Sequence, residues 1–543
     1  MLSYRKLAMR VLGRPLHTEG IDSPRPASQR AAAFALTAAM LITLAAPAFA
    51  KTWHIEDGDI TVKAGDTKGT NKVSQGESTD VPDTDTVITN REKNASSNTV
   101  TIETNDKNDK VEVTLKDVNI DTSSRNKAAV SVTGEGDTNI KLDGDNALKS
   151  DIYRSGIYGS GSGSLTISGG ENDSLTAQGG SGANGISSSG SLTISGGTVT
   201  ANGDDGGRGI SSSGSVTISG GSTVTANGGN GTISGGDGIC SNGGVTISGG
   251  STVTANGGNG GSLVGGDGIR SGGGLTVSDG TVTAKGGNGD SKDGYGGDGI
   301  RSGGVITISG NTVNAAGGYG GKVGGYGICS FDRVAISGGT VEAAGGNGST
   351  GGGSGIYSSV IDLSGSLELT AKAGSPNGKA LLQAGHELDL DTIKDKLGPG
   401  AKVTVTDADG KVNQVSIPRP VEPEKPVIPE ESSSSSDGGS SAPSAPASSL
   451  LGLTVTDKDG QRISYTSTQS GNTLTVCVGR FTASFRISLA ALRQLRAEGI
   501  ETITFQTILC STTLSVDELL AMGGEDAEAV LTHRLTDSSL TVG

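Results

Sequence analysis

Asp237, Asp267 and Asp298 each stand two residues before an isoleucine, in the tripeptide Asp-Gly-Ile, at steps of 30 and 31 residues. A residue type that returns at a near-constant step occupies equivalent places in successive structural units, so these carboxylates are expected in one column. Carboxylates stacked at strand spacing repel one another unless a cation or a basic neighbour compensates them. Arg270 and Arg301, two residues past Gly268 and Gly299, are one compensator. Calcium, which takes carboxylate and carbonyl oxygens, is the other. The loop GNGDSKDGYGGDG brings Asp290 and Asp293 into sequence proximity with Asp298 and is the richest candidate for calcium. Its spacing is neither that of an EF-hand nor that of the G-G-x-G-x-D nonapeptides. The plainest alternative makes each aspartate a turn residue bonding its own backbone ahead of a glycine.

A second chemistry is suggested by aromatic side chains, which are only 3% of the chain. Tyr158, Tyr295, Tyr319, Tyr326 and Tyr357 are the tyrosines of the glycine-rich stretch, and Tyr319 and Tyr326 flank the loop GGYGGKVGGYG beside Lys322. Tyr295, Tyr319, Lys322 and Tyr326, with Arg270 and Arg301, form the candidate sugar-contacting set; the alternative is that the tyrosines merely cover loop bases. A lyase needs a cation cluster beside an unpaired Arg or Lys base, and a glycan hydrolase needs carboxylates aimed into one cleft. A repeated Asp/Arg pair is more often a solvated ion pair than either. His54, His386 and His533 have no metal-ligand spacing. No catalytic activity is therefore expected.

The elements that position these residues follow from the repeat. Ile157, Ile186, Ile210, Ile239, Ile269, Ile300, Ile328 and Ile356 each follow a glycine, at steps of 29, 24, 29, 30, 31, 28 and 28 residues. Between them the order is G-I-x-S, then [VLI]-[TA]-[IV]-S-G-G, then [VL]-x-A, then a Gly/Asn-rich loop. Alternation of period two predicts strands of three to five residues, each ended by Gly, Asn or Ser. Three short strands per unit predict one coil of a parallel β-helix, an all-β solenoid. Stacking would place Leu165, Leu192, Val216, Val245, Leu275, Ile306 and Val334 in one interior file, and Ala177, Ala201, Ala226, Ala255, Ala284, Ala315 and Ala343 at a narrow corner. The 93 glycines are expected where the coil turns sharply, often with positive φ.

The units G-D-G-I-R-S-x-G-x-[LVI]-T-[IV]-S-x-G-T-V-T-A, over roughly Val111 to Ala373, resemble those of secreted clostridial carbohydrate-binding domain-containing proteins. That family is a calcium-binding right-handed β-helix akin in shape to pectate lyases. The resemblance implies non-catalytic binding of an acidic plant or cell-wall polysaccharide. Its more usual D-D-G-I-H-[AS] unit is matched in part: Asp237, Asp267 and Asp298 keep one aspartate, and Gly236, Gly266 and Gly297 replace the other. Cys240, Arg270 and Arg301 stand where His is common.

Residues 1–50 read as an export signal, with Arg5, Lys6, Arg10, Arg14, Arg25 and Arg30 around and before an apolar run from Ala31 to Ala46. Ala48-Phe49-Ala50 completes the pattern, placing cleavage between Ala50 and Lys51 and leaving no transmembrane segment in the mature chain. Loss of six Lys/Arg and two Asp/Glu takes the formal charge from −15 to −19, which excludes a nucleic-acid partner. Residues 51–154 are expected to form a cap and irregular coils, 155–375 the regular coils, and 376–416 the far end of the solenoid, with a short helix from Asp389. Residues 417–449 read as a disordered Pro/Ser-rich linker. The remainder, 450–543, reads as a small α+β domain, with Ser488 and Ser515 capping helices. Cys477 and Cys510 are its candidate disulfide; Cys240 and Cys329, three coils apart, are expected as buried free thiols. The reading is a secreted or cell-surface polysaccharide-binding β-helix, with calcium as candidate cofactor. A surface adhesin or spacer is the alternative, and a polysaccharide lyase the third.

Overall fold

The computed structural model describes residues 50–418. From 453 to 542 it describes all but 458–460, 464, 471, 479–481, 508–510, 523–526 and 534–537. The first unit is an all-β parallel solenoid of about 13 turns. Three strands per coil make three walls, and each strand pairs in parallel with its equivalent one coil on.

In the first wall Ile157, Ile186, Ile210, Ile239, Ile269, Ile300, Ile328 and Ile356 are consecutive Cα partners. In the second, Leu165, Leu192, Val216, Val245, Leu275, Ile306 and Val334 line up in the expected file. All these side chains are at most 1% exposed. Burial of each large aliphatic chain is worth roughly 1.5–3 kcal/mol, and a lone coil would forgo most of it. The third wall carries the alanine file from Ala177 through Ala343. It widens to Leu148 and Ile120 at one end and, past Ala371, to Val405 at the other.

Both ends are closed by antiparallel strands, which cover an edge that would otherwise invite pairing with another chain. Ile60–Ala64, Asn71–Gln75 and Ser78–Asp83 form the first cap. Beside it the chain's one tryptophan, Trp53, is 2% exposed and donates its indole N–H to Asp83 Oδ2 at 2.7 Å. At the other end Asp389 accepts from Asp391 N–H to start a 3-10 helix, Leu390–Lys396. Val412–Ser416 then covers Lys402–Thr406.

The glycines correct the expectation about turns. Positive φ is confined largely to tight corners such as Gly220–Gly221 and Gly249–Gly250. In the long loops the reason is close approach. Each loop runs out along one backbone limb and returns along another, and the limbs are laced by N–H···O=C bonds. Gly236 donates to Gly229, Gly258 to Gly236, Gly266 to Gly258, Gly287 to Gly266 and Gly297 to Gly287, at 2.8–2.9 Å, and the zigzag continues to Gly374. A Cβ at Gly236, Gly258 or Gly266 would overlap a carbonyl oxygen of the preceding coil.

Among its described residues the second unit has two four-stranded sheets and two helices. Leu489–Ala497 is capped by Ser488, which accepts from Ala491 N–H, and the helix gives way to Gly499 at φ +90. Ser515 accepts from Glu518 N–H at the start of Val516–Met522. Phe485 and Phe505 meet at 4.8 Å in its core. Cys477 ends a strand opposite Gln506, to whose Oε1 its thiol donates; Cys510 lies outside the described residues. So do residues 1–49, with all of the export signal but Ala50, and 419–452, with most of the linker. Among the described residues no helix is long and apolar enough to cross a membrane.

Candidate functional site

The residue before each Gly-Ile sits where a loop returns to the first wall, outside the core. Asp237, Asp267 and Asp298 there form one buried column, between 4% and 7% exposed. Each carboxylate accepts the backbone N–H of the equivalent residue one coil on. Asp267 N–H donates to Asp237 Oδ1 at 2.9 Å, Asp298 N–H to Asp267 Oδ1 at 2.8 Å, and Tyr326 N–H to Asp298 Oδ1 at 2.7 Å. Asn184 does the same for Arg208 N–H at 2.8 Å. These carboxylates therefore bridge coils instead of bonding the backbone of their own turn.

Two of the three carboxylates are compensated by arginine, though not as the spacing suggested. Arg301 Nη1 reaches Asp298 Oδ2 at 3.3 Å, as expected. Asp237 Oδ2 is paired by Arg208 Nε at 3.2 Å, from the coil before. Arg270 is exposed and makes no ion pair with Asp267. Burial, with Asp298 and Asp237 on either side, pushes the Asp267 carboxyl up to about 8. Burial also raises Asp298, against the pull of Tyr326 N–H and Arg301.

Calcium does not fit this donor set. One oxygen of every carboxylate in the column is committed to a backbone N–H, and Asp237 and Asp298 turn the other to an arginine. Asp290 and Asp293 are exposed on their loop and do not join Asp298 as ligands: among the described residues no group of three or more His, Cys, Asp or Glu is placed to hold a metal ion.

The next outward file of the first wall runs Ser211, Cys240, Arg270, Arg301, Cys329, Tyr357. Cys240 and Cys329 are buried, free and three coils apart, as expected. Tyr357 stacks on Tyr326 with ring centres 5.1 Å apart and planes 16° from parallel. Arg301 also lies over the Phe331 ring at 5.1 Å, and Phe331 is exposed. On the loop tips, Lys322 sits 5.4 Å over the ring of Tyr295, from the coil before. Tyr295 and Tyr319 are each nearly half exposed. Of the candidate residues, Arg301 and Tyr326 thus fall into one cation-bearing aromatic cluster with Phe331 and Tyr357, and Lys322 and Tyr295 into another, while Tyr319 and Arg270 join neither. Phe331 escaped the sequence reading, and Tyr357, one of the tyrosines noted there, was not joined to the contact set; aligning the residues just after each Gly-Ile would have placed it next to Cys329 in the file of Arg301.

Below the column lies a groove of about 530 Å³, lined by Asn184, Arg208, Asp237, Asp267, Arg270 and Arg301 among returning glycine limbs. No protein family, curated protein or solved structure matches this chain.

Proposed function

We propose that this chain is an exported, non-catalytic solenoid that binds polysaccharide on its outer loop-bearing face. The observation that carries the reading is the Tyr326–Tyr357 stack, continued by Arg301 over Phe331. Aromatic rings offer an apolar surface with a polar tip, and here a stiff backbone ladder holds them in place, so little side-chain entropy is lost on binding. The engagement of Asp237 and Asp298 with arginine and backbone leaves neither free as a hydrolytic acid or base, which favours binding over cleavage.

Affinity electrophoresis of the mature protein through acidic and neutral polysaccharides tests this. Retardation by at least one polymer is expected, unchanged by chelator. The Tyr326→Ala/Tyr357→Ala variant should weaken it about tenfold, the loss of roughly 1.4 kcal/mol typical of a contact that matters. No retardation by any polymer, or equal retardation of the variant, would overturn the reading. Release of unsaturated oligosaccharides from pectate would replace it with a lyase.

A further inference from the structure

The groove beneath the aspartate column has an uneven charge arrangement. Arg208 is matched to Asp237 and Arg301 to Asp298, each through one ion pair. Arg270 lines the same groove, is exposed, and has neither a hydrogen bond nor an ion pair among the described residues. Its Cα partners across the wall are Cys240 and Arg301, so a second cation stands directly beside it. Like charges opposite one another on paired strands are unfavourable unless something of opposite sign intervenes. Asp267 also lines the groove. It is more than nine-tenths buried, and only its Oδ1 is engaged, by Asp298 N–H.

We propose that this groove is an oxyanion-binding subsite, in which Arg270 grips a carboxylate, sulfate or phosphodiester group carried by the bound glycan. A guanidinium fork matches such groups with two parallel hydrogen bonds, which makes the contact short, strong and orientation-specific. The source of the anion rests on the polysaccharide-binding reading; the site itself does not. The position tolerates change: Ser211 occupies the same file two coils earlier, so Arg270→Ser keeps a side chain the fold already accepts.

The test compares the full mature protein, Arg270→Ser and Lys285→Ser, the last removing an exposed positive charge from the third wall. Affinity electrophoresis uses polygalacturonate, its methyl ester, dextran sulfate, a phosphodiester-linked teichoic acid and neutral dextran. Arg270→Ser should weaken retardation by the preferred anionic polymer at least about tenfold and leave neutral polymers unaffected, while Lys285→Ser behaves like the parent. Equal loss in both variants, or none in Arg270→Ser, overturns the proposal. Equilibrium dialysis against free galacturonate, inorganic sulfate and inorganic phosphate separates the site from the polymer reading. Saturable binding of one of these, abolished in Arg270→Ser, sustains the subsite even if no polymer is retarded; no saturable binding of any of them ends it.

Discussion

The backbone N–H of Asp298 donates to Oδ1 of Asp267 across one coil, at 2.8 Å. The same bond recurs along the loops with uncharged side chains: Asn230 accepts from Asn259 N–H, Asn259 from Asn288 N–H, and Asn288 from Tyr319 N–H, at 2.7–2.9 Å. An Asn or Asp repeated once per coil thus satisfies a backbone donor of the next coil and fixes the register. Where the residue is Asp the device also stacks charge, which two arginines offset and which, with burial, raises the carboxyl of Asp267.

Replacing Asp267 with Asn should make the solenoid's stability less dependent on pH. The carboxyl titrates at about 8 in the fold, pushed there by burial and then by Asp298 and Asp237, against an ordinary value of 3.8. Between those values the folded chain holds a proton that the unfolded chain has lost. Its contribution to stability is therefore complete below about pH 4 and declines as pH rises towards 8. Asn keeps the Oδ1 acceptor and does not titrate, and Asn184 already fills this position one file-mate before Arg208. Melting curves of parent and variant at pH 4, 6 and 8 should diverge in the variant's favour by several degrees as pH rises. A difference constant across that range would contradict the retained proton.

Cys240 and Cys329 should be inert in the folded protein. Three coil spacings of about 4.8 Å put them about 14 Å apart, beyond a disulfide. Burial, followed by the negative charge of Asp237 for the first and Asp298 for the second, raises their thiols to about 11 and about 12. The thiolate is the reactive form, so iodoacetamide at pH 8 should leave both unmodified by mass spectrometry and label both in guanidinium chloride. Rapid labelling of either in the native protein would show that the loops do not cover this file.

The interior was legible because one physical requirement writes it: every coil must present an aliphatic chain to the coil above and below, so Val245, Leu275 and Ile306 recur in phase. The serines ahead of the C-terminal helices were legible for a similar reason, since a helix start needs an acceptor. The outer face was less so. Sequence phase shows that Asp267 and Arg270 share a coil, but not that Arg208 reaches forward to pair with Asp237 while Arg270 forms no ion pair with Asp267. Long side chains choose among neighbours on three coils, and period alone does not rank them. The tyrosine pair has the same origin, since Tyr326 and Tyr357 come from different files that meet only when the loops fold back over the wall.

Glycine offers the sharpest separation between two roles that look alike in sequence. Gly221 has φ +69 and nothing within 4 Å of a Cβ, so alanine there suffers backbone strain alone, about 1–2 kcal/mol. Gly266 has no positive φ, yet its Cβ would overlap the carbonyl oxygen of Gly236, a backbone atom held in the zigzag ladder that cannot swing aside. Gly266→Ala must therefore push two coils apart and strain the bonds from Gly266 to Gly258 and from Gly287 to Gly266, for a loss above about 3 kcal/mol. Urea unfolding followed by circular dichroism should show the larger loss in Gly266→Ala and the smaller in Gly221→Ala. The reverse order would mean that turn geometry, and not the contact of backbone with backbone, is what the glycine-rich loops require.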